Sequence, residues 1–228
     1  MKNIIELKNI KKTYCLKKLE VPVLHQINLE IKEGEMIALI GPSGSGKSTL
    51  MNIIGLLDRP TSGEYLLEGE PLTLSMSDAK LAHIRASKIG FVFQSFNLLP
   101  KKTALDNVLL PTSYVKQTEK ARTNAISLLK KVGLDHRMKH KPTEMSGGEK
   151  QRIAIARALI NNPDLILADE PTGNLDSKSG RQIIDLLKKL NEEGKTVLII
   201  THDEKIANQC QRIIRIFDGE VTEGDSNV

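Results

Sequence analysis

Residues 36–50 read MIALIGPSGSGKSTL, and they settle the architecture before anything else is considered. Met36 to Ile40 is an unbroken apolar run closed by Gly41, the pattern of a short strand buried on both faces. Gly41 to Ser48 then fits G-x-x-x-x-G-K-S/T, with Ser43, Gly44, Ser45 and Gly46 inside the loop. Glycines let backbone N–H groups approach phosphate oxygens closely, and a helix opening near Lys47 adds the positive end of its dipole. Lys47 is placed to reach the β- and γ-phosphates, and the Ser48 hydroxyl, followed by Thr49, to ligate Mg²⁺. The apolar spacing after it carries the helix to about Leu57.

Working outward, residues 4–10 and 23–32 read as strands, and RPTSGEYLLEG (59–69) as a turn and a strand. SKIGFVFQ (87–94) is another strand. From about Ser95 to Asn162 the pattern turns helical, in TALDNVLL, EKARTNAISLLKKVGL and MSGGEKQRIAIARAL. The charges of the second stretch form a solvated helix face. Strands return at 164–170, 196–201 and 212–219, and Ile183, Ile184, Leu187 and Leu190 mark an amphipathic helix between them. Strands alternating with helices predict an α/β fold with a mostly parallel sheet. The chain reads as one domain, 1–228, with residues 95–162 inserted as a helical subdomain into a core of 1–94 and 163–228.

Composition narrows the function. Hydrophobic residues at 39% and charged residues at 27% describe a globular chain. A net charge of +5 with lysines spread along the sequence, 3% aromatics and no Trp argue against a nucleic-acid partner. Cys15 and Cys210 stand far apart, outside any metal-ligand spacing, as expected in a reducing compartment. MKNIIELKNIKK is interrupted by charge every few residues, unlike a signal peptide, and no apolar run approaches the roughly 18 residues of a membrane span. The expectation is a cytoplasmic chain that meets a membrane only through another subunit.

Two further stretches carry chemistry. LILADEP (165–171) puts Asp169 and Glu170 at the C-terminal end of a buried strand, the edge where open α/β sheets hold ligands. Asp169 suits Mg²⁺, usually through water, and Glu170 suits a general base for an attacking water. In MSGGEKQR, Ser146, Gly147 and Gly148 precede a helix; Ser146 reads as its N-cap, and a capped helix start is also an anion site.

Taken in order, these motifs resemble the ATP-binding cassette (ABC) ATPases over nearly the whole chain. SGGEKQR is similar to the family signature, Gln94 to the Q-loop glutamine, GNLDS (173–177) with Asp176 to the D-loop, and His202 to the switch histidine. The resemblance implies a P-loop NTPase core with a mixed, mostly parallel sheet, an N-terminal antiparallel β-subdomain and an inserted α-helical subdomain. It implies ATP and Mg²⁺ as cofactors, Tyr14 stacked on adenine, and Gln94 among the groups at the metal. Gln94 and His202 would orient the water and sense the γ-phosphate.

The resemblance also implies head-to-tail homodimers on ATP, the signature of one copy closing over nucleotide held by the other, and a separate transmembrane permease subunit. That places the chain peripherally on the inner face of the plasma membrane. GFVFQSFNLLP, ADEPTGNLDS and HKPTEMSGG look most similar to a branch of macrolide exporters, lipoprotein-releasing ATPases, cell-division ATPases and antimicrobial-peptide resistance pumps. Export or extraction follows; the alternative is an ATPase that regulates a membrane partner without transport. In the family the stretch after Gln94 meets the membrane subunit, while packing inside the helical subdomain serves Phe96, Leu98 and Leu99 equally well. Met145 stands for the usual leucine, a swap of similar volume. Glu149 stands for a glutamine, adding negative charge near a phosphate site. His25, His83, His136 and His140 have no partner spacing.

Overall fold

The structure, a computed structural model, describes residues 2–16, 19–115 and 120–224. They group into two compact units, one of residues up to Leu81 with those from Thr196 onward, the other of Ala82–Lys195.

In the first unit, β1 (Asn3–Leu16) and β2 (Leu19–Lys32) form a long antiparallel hairpin. Leu24, Ile27, Leu29 and Ile31 are buried while their neighbours face water, the alternation of a sheet with one covered face. The step from Leu24 to Ile27 breaks the two-residue period. Gln26 absorbs the extra residue at φ 51°, as in a β-bulge. β3 (Met36–Ile40) follows, buried at all five positions, then α1 (Lys47–Ile54). β4 (Ser62–Leu67) and β5 (Glu70–Pro71) complete a four-stranded antiparallel sheet in the order β2-β1-β4-β5.

α2 (Asp78–Lys88) begins in the first unit and leads into the second. There, β6 (Ile89–Val92) pairs in parallel with β7 (Leu165–Asp169). Between them lie α3 (Ala104–Leu109), α4 (Ala121–Lys131) and α5 (Gly147–Leu159), so the helical stretch 95–162 falls inside this unit; Glu119, expected to open α4, lies outside the described residues. Ala104, Val108, Ala125, Leu129, Ile153 and Ala156 form the core of the three helices. Burying each larger aliphatic side chain there contributes about 1.5–3 kcal/mol. Met145 packs in this cluster. α6 (Ser177–Glu192) buries Ile183, Ile184, Leu187 and Leu190, the stripe its sequence shows.

The first unit closes with β8 (Thr196–Ile200), α7 (Glu204–Ala207), β9 (Arg212–Phe217) and β10 (Glu220–Gly224). β3 lies in parallel between β8 and β9, while β9 and β10 form an antiparallel hairpin, so the expected mixed, mostly parallel sheet is present.

Candidate functional site

The phosphate loop is built as the sequence requires. Its strand ends at Ile40, and the loop turns into α1 through Gly46, the N-cap, at φ 104° and ψ 1°. A Cβ there would be strained by that left-handed φ and would stand 2.8 Å from Leu24 Cδ2. At Gly41 the constraint is steric: a Cβ would come 2.2 Å from the Ile216 carbonyl oxygen. The N–H groups of Lys47, Ser48 and Thr49, in the first turn, have no intrahelical acceptor. No side chain caps α1, and no acidic residue lies in its first turn. Lys47 Nζ donates to the carbonyls of Gly41 (2.8 Å) and Pro42 (2.7 Å), which holds an ammonium in the loop. Ser45 Oγ is buried without a partner among the described residues. Positive charge and free donors converge here, as an anion site demands.

Two other expected residues share this unit. His202, past the end of β8, lines a depression of about 180 Å³ together with Gly41, Pro42, Glu204, Arg215 and Phe217. Tyr14, half-buried near the end of β1, hydrogen-bonds Asp58 Oδ2 at 2.8 Å, and the Lys12 ammonium lies 4.6 Å from its ring centre. Burial and the Asp58 bond raise the Tyr14 pKa. Burial works against the Asp58 charge, yet hydrogen bonds from Lys12, Tyr14 and the Arg59 N–H hold its carboxyl below the usual carboxylate range. Sequence reading passed over Lys12 and Asp58. Nothing in the sequence pairs them: Lys12, only 9% exposed, meets Asp58 Oδ1 at 2.7 Å from a strand 46 residues earlier.

The second unit carries the acidic pair and the signature. Val92 faces Ala168 across β6 and β7, so Gln94 and the pair Asp169 and Glu170 follow neighbouring parallel strands at their C-terminal ends. Glu170 has φ 43°, left-handed for a residue with a side chain. The next turn is closed by a bond from the Gly173 N–H to the Glu170 carbonyl (3.0 Å), and Asn174 Nδ2 donates to the Gln94 carbonyl (2.9 Å). Phe96 and Asn97, both at positive φ, give their carbonyls to the Arg157 guanidinium, whose pKa burial lowers. Of the apolar residues after Gln94, Leu98 packs on the helical core and Leu99 is 42% exposed.

α5 opens on a complete capping box. Ser146 accepts the Glu149 N–H through Oγ, while the Glu149 carboxylate accepts the Ser146 N–H and hydroxyl, each at 2.9 Å. Arg137 Nε meets the same carboxylate at 3.1 Å. Bonds from Ser146, with Arg137 beside them, hold the Glu149 pKa below its ordinary value against the effect of burial. The extra charge at this position is therefore absorbed inside the protein. A Cβ on Gly148 would stand 3.0 Å from Ser179 Oγ, and one on Gly147 3.1 Å from Leu175, so the signature packs on the start of α6. Asp176 caps that helix, accepting from the Lys178 and Ser179 N–H groups; hydrogen bonding from Ser179 is the main reason its pKa is lowered.

A glycine loop opening an uncapped helix beside an ammonium, carboxylates at strand ends and a capped signature helix define an α/β nucleotide-binding protein of the cassette type. The family model described as ABC transporter matches residues 24–173, and the chain belongs to that family. It is 55% identical to an ABC transporter ATP-binding protein, YvrO, of Bacillus subtilis, over 96% of this chain and 95% of that one. It is 48% identical to the macrolide export ATP-binding/permease protein MacB of Syntrophobacter fumaroxidans, spanning 96% of this chain but 31% of that protein. Among solved structures it resembles a dimeric, post-hydrolysis state of the cassette MJ0796 bound to ADP and Pi, with 49% identity and a TM-score of 0.89 over 98% of this chain and 99% of that one.

Proposed function

We propose that this chain is the ATP-binding and ATP-hydrolysing subunit of an ABC transporter, pairing with a second copy on ATP to drive a separate transmembrane subunit. The observation that carries the reading is the phosphate loop, where an uncapped helix start with no acidic residue in its first turn and the Lys47 ammonium present positive charge. The likeness to a dimeric cassette holding ADP and phosphate supports the pairing. The relation to MacB, a macrolide export ATP-binding/permease protein, supports export; extraction and a hydrophobic or peptide substrate are part of the same proposal. No helix among the described residues is long and apolar enough to cross a membrane, which is consistent with a peripheral subunit at the inner face of the plasma membrane. The compact core of α3, α4 and α5 supports a helical subdomain over 95–162, set into a core of 1–94 and 163–228.

In this reading the loop Gly41–Thr49 cradles the phosphates, Lys47 neutralises the β- and γ-phosphates, and Tyr14 stacks on adenine. Glu170 takes the proton of the water that attacks the γ-phosphorus as the bond to the β-phosphate oxygen breaks, yielding ADP and phosphate. Gln94 and His202 orient that water. The Ser48 hydroxyl, Gln94 and Asp169 are oxygen donors of the kind Mg²⁺ prefers, and no cluster of three acidic, His or Cys residues among the described residues offers a competing cage. Mg²⁺ would supply charge neutralisation for the transferring phosphoryl group. Ser146, Gly147, Gly148 and Asp176 would complete the nucleotide site of the second copy. The test is phosphate release from ATP and Mg²⁺ by the purified chain, with Glu170→Gln run on size exclusion. ATP-dependent turnover in the wild type and an ATP-trapped dimer in the variant are expected. Turnover that survives the substitution removes Glu170 from the role.

A further inference from the structure

Gln151 is fully buried in α5, among Ile153, Ala154, Ile155 and other apolar positions where a methionine would satisfy packing alone. Its Nε2 donates to the Pro171 carbonyl at 2.7 Å and makes a longer contact, 3.4 Å, with the Phe93 carbonyl. Its Oε1 is buried without a partner among the described residues. A buried amide with one end unsatisfied is costly, so the bonds made by its other end must matter to the protein.

The two acceptors explain which property is served. Pro171 directly follows Glu170, and Phe93 directly precedes Gln94. One side chain of the signature helix therefore ties the loop after β7 to the loop after β6. Glu170 stands at φ 43°, a backbone state that persists only where its surroundings over-determine it. The Asn174 bond to the Gln94 carbonyl braces the same two loops further along, and Phe93 stacks on Phe91, ring centres 5.4 Å apart.

We propose that Gln151 is a positioning residue for hydrolysis: its amide fixes the backbone on either side of the γ-phosphate machinery and so sets where the Glu170 carboxylate and the Gln94 amide point. It does not touch nucleotide. The inference rests on the proposed roles of Glu170 and Gln94, and it makes the helix that starts with the signature a mechanical part of the water-activating loops of its own chain.

The test is Gln151→Met, which keeps length and removes the donor. Misplacing a reacting group by about 1 Å costs on the order of 100-fold. kcat should fall roughly 10- to 100-fold, while KM and the Kd for ATP stay within about twofold. In a Glu170→Gln background, single-turnover hydrolysis should slow by less than in the wild type, because one of the two groups being positioned is gone. Should Gln151→Met fail to fold by its melting curve, Gln151→Asn, one methylene short of Pro171, should give the same split. Wild-type kcat in a folded variant, a loss confined to KM, or losses that multiply with Glu170→Gln would each overturn the inference. Unchanged turnover in Glu170→Gln alone would instead overturn the functional reading beneath it.

Discussion

Two helix starts in this chain look alike in sequence, each a serine-and-glycine stretch before an amphipathic run, and they are finished in opposite ways. The start of α1 has a left-handed glycine for its N-cap, no side-chain cap and no acid, with an ammonium folded into the loop. The start of α5 is closed on itself by Ser146 and Glu149, and its carboxylate is shared with Arg137. The first needs an anion to satisfy it. The second has its Ser146 hydroxyl and Glu149 N–H already paired and can lend that hydroxyl only by exchanging existing bonds. The difference teaches why one nucleotide would use both. On the proposed function, a loop that is incomplete alone would hold the ligand, and a signature with a closed cap would engage only when a second copy presents a phosphate.

Four substitutions test that contrast. The largest effect belongs to Glu170→Gln: loss of a general base costs roughly 10²- to 10⁴-fold in kcat, read as phosphate release, while ATP affinity is kept. Next is Lys47→Ala. A hydrogen bond from a charged donor contributes about 1.5–3 kcal/mol, so ATP affinity by calorimetry should fall ~10- to 100-fold. Retained affinity would show that the open helix start is not the ligand-holding half.

Ser146→Ala separates the two halves more sharply. Removing a cap costs about 1 kcal/mol, a drop of roughly 2–4 °C in Tm for a chain of this size. ATP binding by the single chain should be unchanged, and ATP-driven pairing on size exclusion should weaken. Equal loss of both would erase the distinction drawn here.

The smallest effect is that of Glu149→Gln, which frees the Ser146 hydroxyl from a charged acceptor at a helix N-terminus. Pairing on ATP should tighten by ~2- to 5-fold in the dimer Kd, at some cost in Tm. The pH dependence has a definite sign. The folded pKa of Glu149 lies below its ordinary value of 4.5. Its contribution is therefore fully present above that value and is lost as pH falls through the lower folded pKa. Wild type and Glu149→Gln should converge in Tm at strongly acidic pH and differ near neutrality.

Much of this was legible from residues alone, where local chemistry and local structure agree. The phosphate loop, β3, β7 and the cap at Ser146 follow from spacing that admits few alternatives. α1 was expected to reach Leu57 but stops at Ile54, because Gly55 ends it and Leu56 turns to φ 56°. α2 went unseen: only Leu81 is buried along its eleven residues, so there is no apolar stripe to detect. It also moves the start of the following strand from Ser87 to Ile89. β10 went unseen because EVTEG carries no periodic signal and takes its place from pairing with β9. Gln151 and Lys12 act through partners 20 and 46 residues away in sequence, at Pro171 and Asp58, distances over which spacing says nothing.

The hairpin of β9 and β10 has one more effect. Gly219, in its turn, donates to the Ser45 carbonyl at 3.0 Å and accepts from the His25 N–H at 2.7 Å, and β3 itself lies between β8 and β9. During synthesis the chain grows from its N-terminal end at about 5–20 residues per second. The phosphate-loop segment must therefore wait for Gly219, translated after it, before its rear wall exists. Affinity for nucleotide would be acquired only once that later turn has left the ribosome.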